Sequence, residues 1–185
     1  MLVRRSMRGK AAHRAGFTPL EILCAVVVLA LAVSAFCQTL IGGLRLSDAT
    51  RERTLAIEQA RLKLEELQDA NFAQVFALYD SSSANDPGGA GTAPGPNFAV
   101  TGLTPRETDA DVLAGSIVFP VVGTELRENV ALRALGMPHD LNGDGNPDGV
   151  NHANDYQLLP VLVRISWRGP SGPMQVDLRT ILCQR

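Results

Sequence analysis

The sequence predicts an α+β chain, with one long N-terminal helix, apolar in front and amphipathic behind, followed by a small antiparallel sheet. Three observations predict it. No charged residue occurs from Ile22 to Leu44. Apolar residues recur at three-to-four-residue spacing from Ile57 to Leu78. Near the C-terminus, "LLPVLVRISW" and "MQVDLRTILC" alternate with a period of two. With 185 residues, the chain has the length of one ordinary domain.

The first element is a basic leader, residues 1–16. Arg4, Arg5, Arg8, Lys10 and Arg14 precede Phe17 with no acid among them. The net charge of −2 therefore divides into +5 on the leader and −7 on residues 17–185. The uncharged run that follows is long enough for a membrane span, which takes roughly 20 residues. Basic residues directly before it favour a cytoplasmic N-terminus and an exported C-terminal part. Residues 17–46 thus read as a transmembrane helix, single-pass.

Glu21 sits at the mouth of that run, and three ordinary membrane readings leave it unexplained. A cleaved secretory signal needs small residues at its cut site, which "AVSAF" meets loosely through Val33 and Ala35. A lipoprotein signal needs a small residue where Phe36 precedes Cys37. A plain anchor needs no glutamate at all. Cleavage between Gly16 and Phe17 would remove the leader and keep the apolar helix as the new N-terminus. Pro19 would then lie in the first helical turn, where its missing N–H costs nothing and its fixed φ suits a helix start.

Gly16, then Phe17-Thr18-Pro19-Leu20-Glu21, then about twenty apolar residues: this arrangement resembles the type IV prepilin class-III signal. The family more often has an aliphatic residue where Pro19 stands. The resemblance implies cleavage after Gly16 by a prepilin peptidase, N-methylation of Phe17, and an assembly role for Glu21, whose carboxylate would meet the free amine of Phe17 on a neighbouring subunit. A carboxylate among lipid tails costs on the order of a few kcal/mol and usually has a partner. A glutamate snorkelling at the interface is the alternative. The partners implied are a prepilin peptidase, other pilin or pseudopilin subunits and an inner-membrane assembly platform. The location implied is the bacterial inner membrane, with the head exported.

Residues 47–79 read as the amphipathic continuation of the helix. Ile57, Ala60, Leu64, Leu67, Val75 and Leu78 form one stripe, and the charged residues from Arg51 to Glu66 occupy other faces. One continuous helix from Pro19 to Leu78 would be about 90 Å long. Gly42-Gly43 marks either a point of bending or a close helix contact. The charges between residues 51 and 66 would either pair between subunits or form a solvated face.

"DSSSANDPGGAGTAPGPN" makes residues 80–98 a flexible loop. Residues 99–185 then form the β-rich head. "GSIVFPVV" (115–122) reads as a strand, and "TELRENVALRAL" (124–135) fits either a strand or a short helix. The final two runs form a hairpin joined by "RGPSGP". Pilins are built on this plan, and the hairpin looks like the C-terminal part of V-type minor pilins and of I-type pseudopilins of type II secretion.

Between the strands, "DLNGDGNPDGVN" matches the opening of an EF-hand calcium loop. Asp140, Asn142, Asp144 and Asp148 stand at positions one, three, five and nine, Gly145 stands at six, and Asn146 could offer its carbonyl at seven. Position twelve departs from the pattern, because Asn151 stands where a bidentate glutamate is expected. Asp155 is a candidate substitute. Calcium binding and a plain Asx-Gly turn cluster both fit. His139 and His152 flank the loop and read as solvent-exposed.

Cys24 and Cys37 lie thirteen residues apart in the apolar helix, too far for a disulfide, and read as packing residues. Cys183 is either buried in the last strand or free. Neither G-x-S-x-G, H-E-x-x-H, a P-loop nor a paired CxxC occurs, so the expectation is a non-enzymatic chain needing no cofactor, with calcium the one candidate ion. One Trp and two Tyr in an acidic chain give no basic-aromatic patch for nucleic acid. The expected function is a minor pilin or pseudopilin of a type IV pilus or type II secretion filament. The alternative is a membrane-anchored, calcium-dependent binding module that does not polymerise.

Overall fold

The computed structural model describes residues 18–106 and 113–184. Gly16 and Phe17, where cleavage and methylation are expected, lie outside the described residues. The chain divides into two compact units, Met1–Leu44 and Arg45–Arg185.

Helix α1 spans Pro19–Asp69, and its described part in the first unit, Pro19 to Leu44, is exposed along its whole length. Leu20, Ile22, Leu23, Val28, Leu31 and Phe36 are each more than half exposed. One 18-residue window reaches a mean hydropathy of 2.6 with none of it buried. Among the described residues, one helix is therefore long and apolar enough to cross a membrane. The hydroxyls of Ser34 and Thr39 donate to the carbonyls of Leu31 and Ala35 at 2.8 and 3.0 Å, so both polar groups are satisfied on the helix itself. The helix runs unbroken through Gly42 and Gly43, and a Cβ at either would meet nothing within 4 Å. Cys24 and Cys37 are exposed and free of disulfides.

The second unit holds the rest of α1 and an α+β head. Ala56, Ala60 and Leu67 are buried and Leu64 is partly buried, so the expected stripe does face the core, shifted by one residue from Ile57 to Ala56. The expected single helix ends at Asp69. A second helix, α2 (Phe72–Tyr79), starts afresh because the Asn71 side chain accepts the Ala73 N–H and caps it. The apolar spacing continues across this break, and Val75, Phe76 and Tyr79 enter the same core. Lys63 and Glu66 form an ion pair at 2.7 Å, and Glu66 also accepts the Tyr79 hydroxyl at 2.8 Å, which ties α2 back to α1. Burial, then the Glu66 carboxylate beside it, pushes the Tyr79 hydroxyl up to about 12.

A four-stranded antiparallel sheet, ordered β1-β2-β5-β6, consists of β1 (Asn97–Phe98), β2 (Gly115–Val118), β5 (Leu158–Gly169) and β6 (Gly172–Cys183). Gly115 is required where it stands, because a Cβ there would lie 2.3 Å from the Phe98 ring. The expected strand 115–122 is broken at Phe119-Pro120. Proline cannot donate to a ladder. Beyond it, β3 (Val121–Val122) pairs with β4 (Glu125–Leu126) in a separate two-stranded sheet. The segment 124–135 thus resolves into β4 and a 3₁₀ turn at Arg133–Leu135.

The C-terminal hairpin is longer and tighter than its sequence suggests. β5 and β6 pair from Leu158↔Cys183 to Gly169↔Gly172, leaving only Pro170-Ser171 as the turn. Leu159, Val161, Val163, Ile165 and Trp167 are buried, while Met174, Val176 and Leu178 of the edge strand are half-buried. Trp167 Nε1 donates to the Glu52 carboxylate at 2.8 Å, which joins the sheet to α1. Cys183 is exposed.

Candidate functional site

Two places carry the residues that the sequence singles out. The first is the start of α1. Thr18 accepts the Glu21 N–H both at its hydroxyl, 3.3 Å, and at its carbonyl, 3.0 Å. Thr18-Pro19-Leu20-Glu21 therefore has the order of a capping box, with Pro19 as first helical residue and an acid in the first turn, where the helix dipole favours negative charge. Glu21 is exposed, and no side chain among the described residues meets its carboxylate.

The second place is the loop from Asp140 to Asp148. Asp140 accepts the Gly143 N–H at 2.6 Å and the Gly145 N–H at 2.7 Å, one on each carboxylate oxygen. Asn142 Oδ1 accepts from Asp144 N–H, and Asp144 Oδ1 accepts from Asn146 N–H. Asp148 Oδ1 accepts from Val150 N–H. Gly143 and Gly145 adopt φ of 82° and 88°, which the tight loop needs and which glycine allows without strain. Backbone N–H groups, that of Gly145 foremost, hold the Asp140 carboxyl below its ordinary range. The loop is thus a chain of Asx turns. Each bonded oxygen keeps a lone pair for a cation.

Glu128 organises this loop from outside. It is fully buried, and its carboxylate accepts the N–H groups of Leu141, Asn142 and Asp148 at 2.6, 3.1 and 3.0 Å. Its oxygen lies within 4.8 Å of one carboxylate oxygen each of Asp140 and Asp144. The loop's missing carboxylate therefore has a counterpart in Glu128, not in Asp155. Asn151 is engaged elsewhere, accepting the N–H groups of Leu126 and Ala153.

Asp148 lies in a second group with Glu128 and His152. His152 is buried, not solvent-exposed as its loop position suggests. Its Nε2 is 3.0 Å from Asp148 and 3.7 Å from Glu128, and its Nδ1 is 3.1 Å from Asp155. Burial opposes a charge on the ring, but the bond to Asp148 and the charges of Glu128 and Asp155 outweigh it and raise its pKa. The doubly protonated ring satisfies both contacts, because each nitrogen then donates. His139 is half-buried.

The donor set fits a hard divalent cation. Glu128, Asp140 and Asp144 offer carboxylate oxygens, and Asn142 and Asn146 have carbonyls in the same loop. Glu128 and His152 are the residues that sequence reasoning missed. The vacancy at Asn151 was a signal that a carboxylate comes from elsewhere, but nothing in the sequence pointed to Glu128. Compared with known proteins, the chain matches no family model, no curated protein and no solved structure.

Proposed function

We propose that the chain is a non-enzymatic subunit, a minor pilin or pseudopilin, of a type IV pilus or type II secretion filament. The observation that carries this reading is the exposed apolar stretch of α1, which has no partner among the described residues and begins at Thr18-Pro19-Leu20-Glu21 behind Gly16 and Phe17. On this reading a prepilin peptidase cuts after Gly16 and the new N-terminus of Phe17 is methylated. The helix waits in the bacterial inner membrane with its N-terminus cytoplasmic and its head exported. An assembly platform then passes it into the filament. Glu21 registers subunits by meeting the Phe17 amine of a neighbour, since a carboxylate leaving water for lipid or packed helices needs a cation. The capping geometry is compatible with this, because the Thr18 bond uses the Glu21 N–H and leaves its carboxylate free. The Asp140–Asp148 loop, with Glu128, is the proposed calcium site of the head.

Mass spectrometry of the N-terminal peptide from native membranes tests the reading. N-methyl-Phe17 is expected. An intact Met1 region would favour the second reading, a membrane-anchored calcium-dependent module that never polymerises, and a start after Ala35 would overturn both. Glu21→Ala should be processed and inserted normally yet fail to enter filaments. Normal entry would remove the registration role.

A further inference from the structure

Strand β6 forms one edge of the four-stranded sheet. The direction of its backbone groups follows from β5. The N–H groups of Ser166 and Arg168 donate to the Ala114 and Thr104 carbonyls at 2.8 Å, on the β2 side. Bonding direction alternates along an antiparallel strand, so the odd-numbered residues of β5 face β6, where their partners are even-numbered, as in Val163↔Leu178. Gln175, Asp177, Arg179, Ile181 and Cys183 therefore direct their N–H and C=O groups outward, and these groups have no partner among the described residues. Such an edge is a template for another strand.

We infer that β6 joins two copies of this chain, antiparallel about a two-fold axis at Leu178, so that their two sheets become one. The charges select this register. The copy bonds through the same outward residues, so Asp177 can stand opposite Gln175, Asp177, Arg179, Ile181 or Cys183. Opposite Asp177 it meets its own charge, and opposite Ile181 the two copies of Arg179 meet. Opposite Gln175 or Cys183, neither charge faces an opposite one. Opposite Arg179, two ion pairs form at once, related by the axis. Asp177 already holds Arg164 at 3.0 Å, whereas Arg179 is exposed and in no ion pair among the described residues. The same register covers apolar surface. Met174, Val176 and Leu178 are half-buried on the core face, and Met174 falls opposite the copy's Leu182. Leu182 walls an open pocket of about 410 Å³ with Leu67 and Phe72, which a flexible methionine suits. The pair is closed, because each copy uses its β6 edge once, and it stands apart from the filament reading.

The test uses the full chain in detergent, as two differently tagged copies with Cys24 and Cys37 replaced by alanine. Residues directly opposite lie about 5.5 Å apart at Cα, within disulfide reach, and residues two further along lie beyond about 7 Å, outside it. In copies that also carry Cys183→Ala, Gln175→Cys with Ile181→Cys is expected to cross-link between the two tags about fivefold more than Gln175→Cys does with a copy retaining Cys183. Arg179→Asp in both copies should cut the 175/181 yield about fivefold with Tm unchanged, since it sets two acids against Asp177 without touching the core. Gln175→Pro removes an N–H that β5 does not use, so this variant should fold yet sediment as a single copy where the native chain sediments as a pair. A higher yield at 175/183, equal yields, no product between the tags, an Arg179→Asp variant that cross-links as before, or a paired Gln175→Pro variant would overturn the inference.

Discussion

Glu21 and Glu128 hold the same functional group in opposite circumstances. Glu128 is fully buried in the second unit and receives three backbone N–H groups, with a histidine 3.7 Å away. Glu21 opens an exposed apolar helix in the first unit, and the chain supplies its carboxylate with no partner among the described residues. The head thus supplies Glu128 with its own partners, whereas Glu21 and the apolar surface of the helix have none among the described residues. Stability should therefore depend on one glutamate and assembly on the other.

The largest expected effect breaks or sustains that contrast directly. Glu128→Ala leaves three backbone N–H groups, one buried and two part-buried, without this acceptor and removes the carboxylate facing His152, which should destabilise the head by about 3 kcal/mol. In thermal unfolding followed by circular dichroism, this amounts to a drop in Tm of about 10 °C. Glu21→Ala should leave the head's Tm unchanged. If the two variants melted alike, the division of labour between the units would be wrong.

A smaller effect lies at the joint between helix and sheet. Trp167→Phe removes the donor to Glu52 and part of a fully buried ring, so a loss of about 2 kcal/mol is expected. Glu52→Gln keeps an acceptor oxygen in place and should cost less than half as much. Hydrogen exchange in residues 45–60 would check this, since those amides should open sooner in the tryptophan variant and hardly sooner in the glutamine variant. Equal protection in all three proteins would mean that the Trp167–Glu52 bond does not hold the helix to the sheet.

The two units also differed in how far sequence could read them. The first is governed by local rules, and composition, a first-turn proline and an acid at the mouth suffice to place its helix. Alternation likewise placed β5 and β6, because Leu159, Val161, Val163, Ile165 and Trp167 fall on one buried face, even though Pro160 and Leu162 between them are buried as well. What stayed hidden depended on single residues or on distant ones. The apolar period runs straight through Asn71, so only the cap formed by its side chain reveals the break between α1 and α2. Pro120 ends a run whose neighbours are all strand formers. The Asx turns of the Asp140 loop are local and were legible. Glu128 reaches the loop from thirteen residues before Leu141, and His152 is buried by the carboxylates that fold brings around it.

The smallest expected effect concerns the Asp140–Asp148 loop. Every carboxylate of the loop already has a backbone partner, so the loop can persist without an ion. The calcium reading requires more, namely that the remaining lone pairs of Asp140, Asp144 and Glu128 converge. With Asn151 standing where the loop would carry a carboxylate, affinity should fall near the weak extracellular class, with Kd of about 10⁻⁴ M. At about 1 mM calcium, that affinity adds roughly 1.4 kcal/mol to stability through binding to the folded state alone. A rise in Tm of about 4 °C follows for the detergent-solubilised full chain, with no rise in magnesium at the same concentration, since magnesium dehydrates reluctantly and demands stricter geometry. Asp140→Asn should abolish the rise while costing little without calcium, because the amide oxygen still accepts one of the two glycine N–H groups. An unchanged Tm up to about a hundredfold above the expected Kd would mean that the backbone alone satisfies the loop, and the head would then be complete without any ion.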